Sequence, residues 1–212
     1  MYENEDNRRF WDRNAKRYDR LHVKNNGELY RKLEDMMRPY LGKDKDILEL
    51  ASGTGNLAVT LASSTRSWTG VDYSENMVRE AEKHYIPNAR FETGNAMKLR
   101  FEDESFDVVV IANALHVMPE PEKALSESRR VLRKGGILLC PTFIYEGQVP
   151  RFKLFLLKLA GFVTYHRWDE DTFRSFVERA GFRTVEHKVI SGNPLPECFI
   201  VLERMDRVPF EY

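Results

Sequence analysis

A short stretch of small residues has the composition of a turn that binds a nucleotide-like ligand. Residues 51–55 (ASGTG) follow residues 47–50 (ILEL), an apolar run typical of a buried parallel strand, and a helix is expected to begin at Asn56. Glycines at the entry to a helix let backbone N–H groups and the ligand approach each other closely. The stretch therefore predicts a ligand site at this turn.

Two acids accompany the turn. Glu49 lies inside the apolar run, and Asp72 ends a second expected strand at residues 68–71. An acid at that place can accept hydrogen bonds from both hydroxyls of a ribose. Residues 53–58 also fit the pattern G-x-G-x-x-A, and with an acid about 20 residues further on they match a dinucleotide fingerprint. From these residues alone, a nicotinamide-dependent enzyme stays open as one interpretation.

The elements that must position these residues alternate along the chain. Strands are expected at residues 89–93, 105–111 and 137–140, with helices at 75–84 and 121–132 and a stop at 134–136. Alternation of this kind predicts a right-handed parallel sheet that binds its ligand at the carboxyl ends of the strands. Two N-terminal helices, at 5–20 and 27–40, are expected before the first strand, and a helix at 168–180 with two strands at 183–190 and 197–202 after the last.

Residues 49–55 (ELASGTG) followed by 71–74 (VDYS) resemble the cofactor site of class I S-adenosylmethionine-dependent methyltransferases. The strand FDVV at 106–109 and the later VLRKGGILL at 131–139 are similar to that family's fourth and fifth strands, which a dinucleotide fingerprint lacks. The sequence departs from the family at Ala51, where glycine is usual. The resemblance implies an α/β fold: a Rossmann-like, seven-stranded, mostly parallel sheet with one antiparallel strand, helices on both faces and an N-terminal helical lid.

The resemblance also implies S-adenosylmethionine as the cofactor and a set of site residues. Asn95 is expected to reach the adenine, Tyr18 to belong to the lid and Asn113 to contact the amino-acid part of the cofactor; His116 is the candidate general base. Packing roles for Tyr18 and His116 and an ordinary turn at Asn95 are the alternatives. The full cofactor-binding set is Tyr18, Glu49, Ala51, Gly53, Gly55, Asp72, Tyr73, Met77, Asn95, Ala96, Met97 and Asn113.

Composition limits the other classes of function. The 212 residues contain 33 basic and 33 acidic side chains, so net charge gives no reason to expect a nucleic-acid partner. Cys140 and Cys198 lie in apolar runs without metal-binding or redox spacing, which predicts core thiols and no metal site. The charged N-terminus and the lack of a membrane-spanning run predict a cytoplasmic protein.

The sequence predicts one methyltransferase domain in four parts: a helical cap at 1–44, a cofactor-binding core at 45–142, an inserted lid-like helix at 143–168, and a closing helix and β-hairpin at 169–204. Residues 149–163 are apolar nearly all round, and could form a lid, contact lipid or simply pack. The expected acceptor is a small lipophilic, amine or phenol molecule. A protein or RNA methyltransferase and a non-catalytic cofactor-binding protein are the alternatives.

Overall fold

Helices and strands alternate along the chain, as the sequence predicts. The structure is a computed structural model and describes residues 3–145, 163–192 and 195–206. The strands are β1 (Asp46–Leu50), β2 (Ser67–Asp72), β3 (Ala89–Thr93), β4 (Phe106–Ile111), β5 (Leu132–Leu139), β6 (Thr142–Phe143), β7 (Phe182–Ile190) and β8 (Glu197–Arg204). The α-helices are α1 (Glu3–Met37), α2 (Asn56–Leu61), α3 (Glu75–Glu82), α4 (Pro121–Val131) and α5 (Glu170–Arg179).

Strands β1 to β5 form the parallel part of a single sheet. β1 lies between β2 and β4, while β3 pairs with β2 and β5 pairs with β4. β8 pairs antiparallel with β5 and with β7. β7 therefore runs in the same direction as β1 to β5, and among the described strands only β8 runs against them. The predicted Rossmann-like, mostly parallel sheet with one antiparallel strand is confirmed.

The sheet has eight strands rather than the predicted seven because the fifth is interrupted. β5 pairs with the C-terminal half of β8, and β6 pairs with the start of β8 at Thr142 and Phe143. β7 occupies the other edge of β8 along its whole length. β6 is thus a continuation of β5 beyond Pro141, which has no N–H to donate to a strand partner.

Side chains on the central strands alternate between two apolar layers, one on each face of the sheet. Leu48 packs into a cluster with Phe173 and residues of α4 and α5. Its neighbour Ile47 packs on the other face with Leu33 of α1 and with α2. Both layers are needed because the parallel strands are buried on both faces. The predicted helices on both faces are confirmed.

The N-terminal residues form one helix instead of the two that the sequence predicts. α1 runs for 35 residues and passes through Gly27, where the sequence analysis begins a second helix. A glycine inside a helix costs only about 1 kcal/mol relative to alanine, which packing of the remaining turns can offset. α1 is followed by a 3-10 turn at Arg38–Tyr40, which contains Pro39 and ends where the predicted second helix was expected to end.

The start of β5 is also different from the prediction. Residues 134–136 were expected to stop α4, but α4 ends at Val131 and β5 begins directly at Leu132. The pairing of β5 with β4 is irregular between Phe106 and Val108, and Gly135 adopts a φ of 68°. The two glycines therefore make a bulge inside the strand, not the end of the helix.

Two helices begin at side chains that cap their first N–H groups. Ser74 Oγ accepts from the Met77 N–H at 3.2 Å and so caps α3. Asp169 and Thr172 form a reciprocal capping box, so α5 begins at Glu170, two residues later than predicted. Such caps satisfy N–H groups that the helix itself leaves without partners.

The predicted core thiols are confirmed, since Cys140 and Cys198 are fully buried. The inserted lid-like helix predicted at 143–168 and the lipid contact at 149–163 fall mainly on residues 146–162, which lie outside the described residues. Among the helices that the structure does describe, none is long and apolar enough to cross a membrane.

Leu33 anchors the C-terminal half of α1 to the sheet, and its side chain is fully buried. We expect Leu33→Ala to destabilise the protein by about 2–5 kcal/mol, because it leaves a cavity in the core. In a chain of this size that corresponds to a fall in the melting temperature of about 5–15 °C, measured by calorimetry or circular dichroism. Lys32→Ala, at an exposed position one residue away, serves as the control and is expected to change stability by about 0.5 kcal/mol or less. Equal, small shifts in both variants would contradict the packing of α1.

Candidate functional site

A cleft opens at the edge of the sheet where the parallel strands end. The turns after β1, β2, β3 and β4 line it, and α1 supplies a further wall. Its volume is about 940 Å³, a figure that includes the mouth that is open to solvent. Ten predicted cofactor-binding residues line the cleft: Tyr18, Ala51, Gly53, Asp72, Tyr73, Met77, Asn95, Ala96, Met97 and Asn113.

The turn after β1 contains three residues in the left-handed region of backbone conformation. The φ angles are 55° at Ala51, 54° at Gly53 and 77° at Gly55. Glycine adopts this conformation without steric cost, whereas for alanine it costs roughly 1–2 kcal/mol. A Cβ at Gly55 would lie 2.9 Å from the Phe91 ring, but a Cβ at Gly53 would have no atom within 4 Å. Gly55 is therefore required by packing, and Gly53 leaves open space in the cleft.

Asp72 connects the turn after β1 to the turn after β2. Its Oδ2 accepts from the Gly53 N–H at 2.8 Å, and its Oδ1 accepts from the Ser74 N–H at 2.8 Å. Desolvation raises the pKa of this carboxyl to about 6, although the two backbone hydrogen bonds act to lower it. Because each carboxylate oxygen has a second lone pair, Asp72 can still accept hydrogen bonds from a ligand.

Glu49 lies behind the turn after β1. It is buried in β1, and its Oε2 accepts from the indole Nε1 of Trp68 at 2.9 Å. Desolvation raises its pKa to about 8; the Trp68 hydrogen bond acts against this shift, and the charge of Asp72 adds to it. Neither Glu49 nor Gly55 is among the residues that line the cleft. Their contact with the cofactor stays a prediction that this geometry does not support directly.

The loop after β3 is held by its own asparagine. Asn95 Oδ1 accepts from the Met97 N–H at 2.9 Å, which makes a compact turn of the kind that Asn favours. Ala96 and Met97 line the same wall of the cleft. The Asn95 oxygen keeps one lone pair for a further donor, so its predicted contact with adenine is chemically feasible.

Helix α1 brings further side chains to the cleft besides Tyr18, the one residue of this helix that was predicted from the sequence to lie there. Arg8, Trp11 and Tyr18 all line it, and the Arg8 guanidinium lies 5.2 Å from the centre of the Tyr73 ring. These three positions are spaced by three and seven residues and therefore share one face of a helix. That spacing was visible in the sequence, and it is the observation that could have added Arg8 and Trp11.

Asp12 attaches the same helix to the start of α3. Its Oδ1 accepts from Ser74 Oγ at 2.6 Å and from the Asn76 N–H at 3.4 Å. In addition, Asn76 Nδ2 donates to the Asp12 carbonyl at 3.1 Å. Ser74 therefore caps α3 and binds α1 at the same time. Nothing in the sequence distinguishes Asp12 from the other charged residues of this helix.

Asn113 lies at the end of β4 in an unusual backbone conformation. Its φ is 54°, and its N–H donates to the Pro141 carbonyl at 2.8 Å. Its side-chain Nδ2 donates to Glu197 Oε1 at 2.5 Å, with the Tyr30 hydroxyl 3.4 Å away. Glu197 is a residue of this site that was not predicted from the sequence, although an acid at the start of an apolar strand is the same kind of signal that identified Glu49.

His116 lies away from the predicted position beside the acceptor. It is 4% exposed, it is not among the residues that line the cleft, and its ring packs edge-on against Phe143 with centroids 5.9 Å apart. Its Nδ1 is 3.3 Å from Thr142 Oγ1. Desolvation lowers its pKa to about 4, with a smaller contribution from His166. These contacts favour the alternative interpretation, in which His116 packs in the core. The geometry does not support a role as general base.

The order of strands, the single reversed strand and the cleft above the glycine turn define a class I S-adenosylmethionine-dependent methyltransferase. A family model described as a methyltransferase domain matches residues 48–140. The ubiquinone/menaquinone biosynthesis C-methyltransferase UbiE of Rickettsia rickettsii (strain Sheila Smith) is 30% identical to this chain over an alignment of 190 residues. The alignment covers 75% of this chain and 77% of that protein. The chain belongs to this methyltransferase family, which decides against the nicotinamide interpretation.

Solved structures agree in fold. A chain from the complex of the Haloferax volcanii Trm112 methyltransferase activator with a methyltransferase has a TM-score of 0.76 at 19% identity, covering 92% of this chain and 97% of that one. An S-adenosylmethionine-dependent methyltransferase of Thermotoga maritima has a TM-score of 0.72 at 23% identity, covering 92% and 98%. At these identities the likeness concerns the fold alone.

The residues of the cleft fit S-adenosylmethionine, the cofactor of this family. The space beside Gly53 that a Cβ would enter leaves room for a ligand next to the backbone. The Asp72 carboxylate supplies acceptors for hydroxyl groups, and Tyr73 and Met77 supply apolar surface for a flat ring. Within the described residues, no cluster of His, Cys, Asp or Glu could hold a metal ion.

The burial of His116 makes stability depend on pH. Its folded pKa of about 4 lies below the value of about 6.5 for an exposed histidine, so the unfolded chain binds the proton more tightly. The resulting stabilisation is present above pH 6.5 and is lost as the pH falls towards 4. Between pH 7 and 5 we expect His116 to account for a loss on the order of 2 kcal/mol, measured by urea unfolding.

The matched variant is His116→Gln, which keeps a polar side chain but does not titrate. Buried acids with raised pKa values have the opposite pH dependence, but they are the same in both proteins, so the difference between the two isolates His116. An identical loss in wild type and variant would contradict the buried neutral state.

Proposed function

We propose that this methyltransferase acts on a small, lipophilic acceptor of the phenol, quinol or amine kind. The observation that carries the proposal is the apolar wall beyond Asn113. The residues after β4 that line this part of the cleft are Ala114, Val117, Met118 and Pro119, with Ala112 before the turn. The similarity to UbiE, a C-methyltransferase of ubiquinone/menaquinone biosynthesis, favours an aromatic acceptor within this class.

Each turn of the cleft is proposed to hold a different part of the cofactor. Asp72 accepts from the ribose hydroxyls, and Asn95 with the backbone of Ala96 holds the adenine. Asn113 and the turn at Ala51 and Gly53 hold the amino-acid part. Tyr73, Met77 and Met97 pack against the adenosine, and Tyr18 covers the cleft. The open lone pairs of Asp72 and Asn95 and the empty space at Gly53 support this arrangement.

When bound, S-adenosylmethionine supplies a methyl group on a positively charged sulfonium, which loses its charge as the methyl leaves. The contribution of the chain is therefore to align the acceptor with that group and to keep water out. Trp11 and Tyr18 of α1 and the apolar residues after β4 enclose the space between them. The Asp12 hydrogen bonds to Ser74 and Asn76 hold α1 in position to do this.

This proposal needs no histidine base. An amine acceptor attacks as its neutral form, and a phenol or quinol gives its proton to solvent water or buffer more readily than an aliphatic alcohol does. His116 is buried behind the cleft wall, so we assign it a packing role. The chain is proposed to select an acceptor that is already nucleophilic.

The decisive experiment incubates the protein with isotopically labelled S-adenosylmethionine and separate panels of lipophilic phenols and quinols, amines, proteins and RNA. We expect label in one of the small-molecule panels, identified by mass spectrometry. Transfer only to protein or RNA would overturn the proposal in favour of a macromolecular substrate. Binding of S-adenosylhomocysteine without transfer to any panel would favour a non-catalytic cofactor-binding protein.

Asp72→Ala should weaken S-adenosylhomocysteine binding by about 1–3 kcal/mol, because it removes the acceptor for the ribose hydroxyls and leaves the Gly53 N–H without its partner. Isothermal titration calorimetry measures the change. Asp103→Ala, which alters an exposed ion pair with Arg130, is the control and should bind like wild type. An unchanged affinity in Asp72→Ala would contradict the proposed ribose contact.

A further inference from the structure

Glu197 is a fully buried carboxyl beneath the turn that follows β4. It begins β8, between Phe143 of β6 and Ile190 of β7. Its Oε1 accepts from Asn113 Nδ2, but its Oε2 has no hydrogen-bond partner among the residues that the structure describes. Burying a carboxyl with half of its hydrogen-bonding capacity unused is unfavourable. Because this incompletely paired carboxyl contacts Asn113, a residue that lines the cleft, a functional role is indicated.

We propose that Glu197 is a positioning residue, which fixes the orientation of the Asn113 side-chain amide and thereby sets the affinity of the cleft for the cofactor. The inference rests on the proposed contact between Asn113 and the amino-acid part of S-adenosylmethionine. It adds a residue that touches neither cofactor nor acceptor and acts only through Asn113.

The orientation follows from the chemistry of the two groups. An ionised carboxylate can only accept hydrogen bonds, so the Asn113 amide must turn its Nδ2 towards Glu197. Its Oδ1 then points the opposite way, and no described residue donates to it. The backbone of Asn113 is fixed by its bond to the Pro141 carbonyl, so rotation of the side chain is the remaining freedom. The oxygen is thereby directed to accept from a donor such as the ammonium group of the cofactor.

Protonation of Glu197 would release this constraint. A protonated carboxyl can donate to an amide oxygen as well as accept from an amide nitrogen, so both orientations of Asn113 become available. Burial raises the pKa of Glu197 to about 7, and the hydrogen bond from Asn113 acts against this shift. Among the described residues, Tyr30 of α1 is a titratable group that interacts with Glu197, and Tyr30 in turn interacts with Tyr18 of α1 and Glu49 of β1. Burial raises the pKa of Tyr30 well above its usual range, which keeps that hydroxyl neutral.

These two protonation states fix the direction in which cofactor affinity changes with pH. The ionised form of Glu197 favours the binding orientation of Asn113, so cofactor affinity rises with pH as Glu197 loses its proton, and binding near neutral pH releases protons. From about pH 8 to about pH 6 we expect S-adenosylhomocysteine affinity of the wild type to fall about 3- to 10-fold through this group.

The test compares wild type with Glu197→Gln, which has nearly the same shape but no charge. By titration calorimetry we expect the variant to bind S-adenosylhomocysteine about 3- to 10-fold more weakly at about pH 8 and like wild type at about pH 6. Glu203→Gln lies on the same strand, in a surface ion pair with Arg183, and is the matched control that should follow wild type. An unchanged pH dependence in Glu197→Gln would overturn the inference.

A double-mutant cycle separates action through Asn113 from a general structural effect. Asn113→Gly removes the amide yet accepts a φ of 54° without strain. If Glu197 acts through Asn113, adding Glu197→Gln to Asn113→Gly should change the affinity no further, whereas additive losses would overturn the inference. Unchanged affinity in Asn113→Gly alone would instead show that the proposed cofactor contact of Asn113 is wrong.

If Glu197→Gln does not fold, a comparison of wild type with Asn113→Gly still decides. Calorimetric titration of S-adenosylhomocysteine near pH 7 in two buffers with different ionisation enthalpies measures the protons released on binding. Because Asp72 and Glu49 also have raised pKa values, their contribution is common to both proteins. A smaller release in Asn113→Gly than in wild type supports the linked ionisation of Glu197, and an equal release overturns it.

Discussion

The hydrogen bond from the Gly53 N–H to Asp72 is the interaction on which the rest of the site depends. It holds the glycine turn after β1 against the end of β2. The other Asp72 oxygen fixes Ser74, which caps α3 and also binds Asp12 of α1. A continuous path of hydrogen bonds therefore runs from the ligand-facing turn to the helix that covers the cleft. Because every link is to a buried or half-buried group, loss of one partner would leave another without a bond.

The buried acids of this protein gather at the same edge of the sheet. Burial raises the pKa values of Glu49, Asp72 and Glu197, and each is partly compensated by a hydrogen bond from a neighbour. Acids with perturbed pKa values concentrate at functional sites, since a folded core gains nothing from an uncompensated charge. Asp72 holds the turn after β1 through Gly53, and Glu197 holds the turn after β4 through Asn113. Glu49 bonds to Trp68 of β2 behind the first of these turns.

Local sequence predicts the parallel half of the sheet well because each strand there is a short apolar run that both layers of the core must cover. It predicts the single reversed strand through the family resemblance. It fails at Gly27 and at residues 134–136, where glycine was taken as the end of a helix. A glycine breaks a helix only weakly, and whether it ends one depends on what packs around it. The interruption of the fifth strand at Pro141 also depends on tertiary contacts. It becomes visible only because β5 and β6 both pair with β8.

The sequence by itself determined the glycine turn, Asp72 and the loop at Asn95, because these depend on residue type at fixed spacing along neighbouring strands. Only the tertiary structure decided that His116 is buried, that Asp12 reaches α3 and that Glu197 meets Asn113. Asn113 and Glu197 are 84 residues apart in the chain and approach to 2.5 Å because β8 inserts antiparallel beside β5. Contacts of this kind are made by the packing of distant elements, and no local pattern in the sequence encodes them.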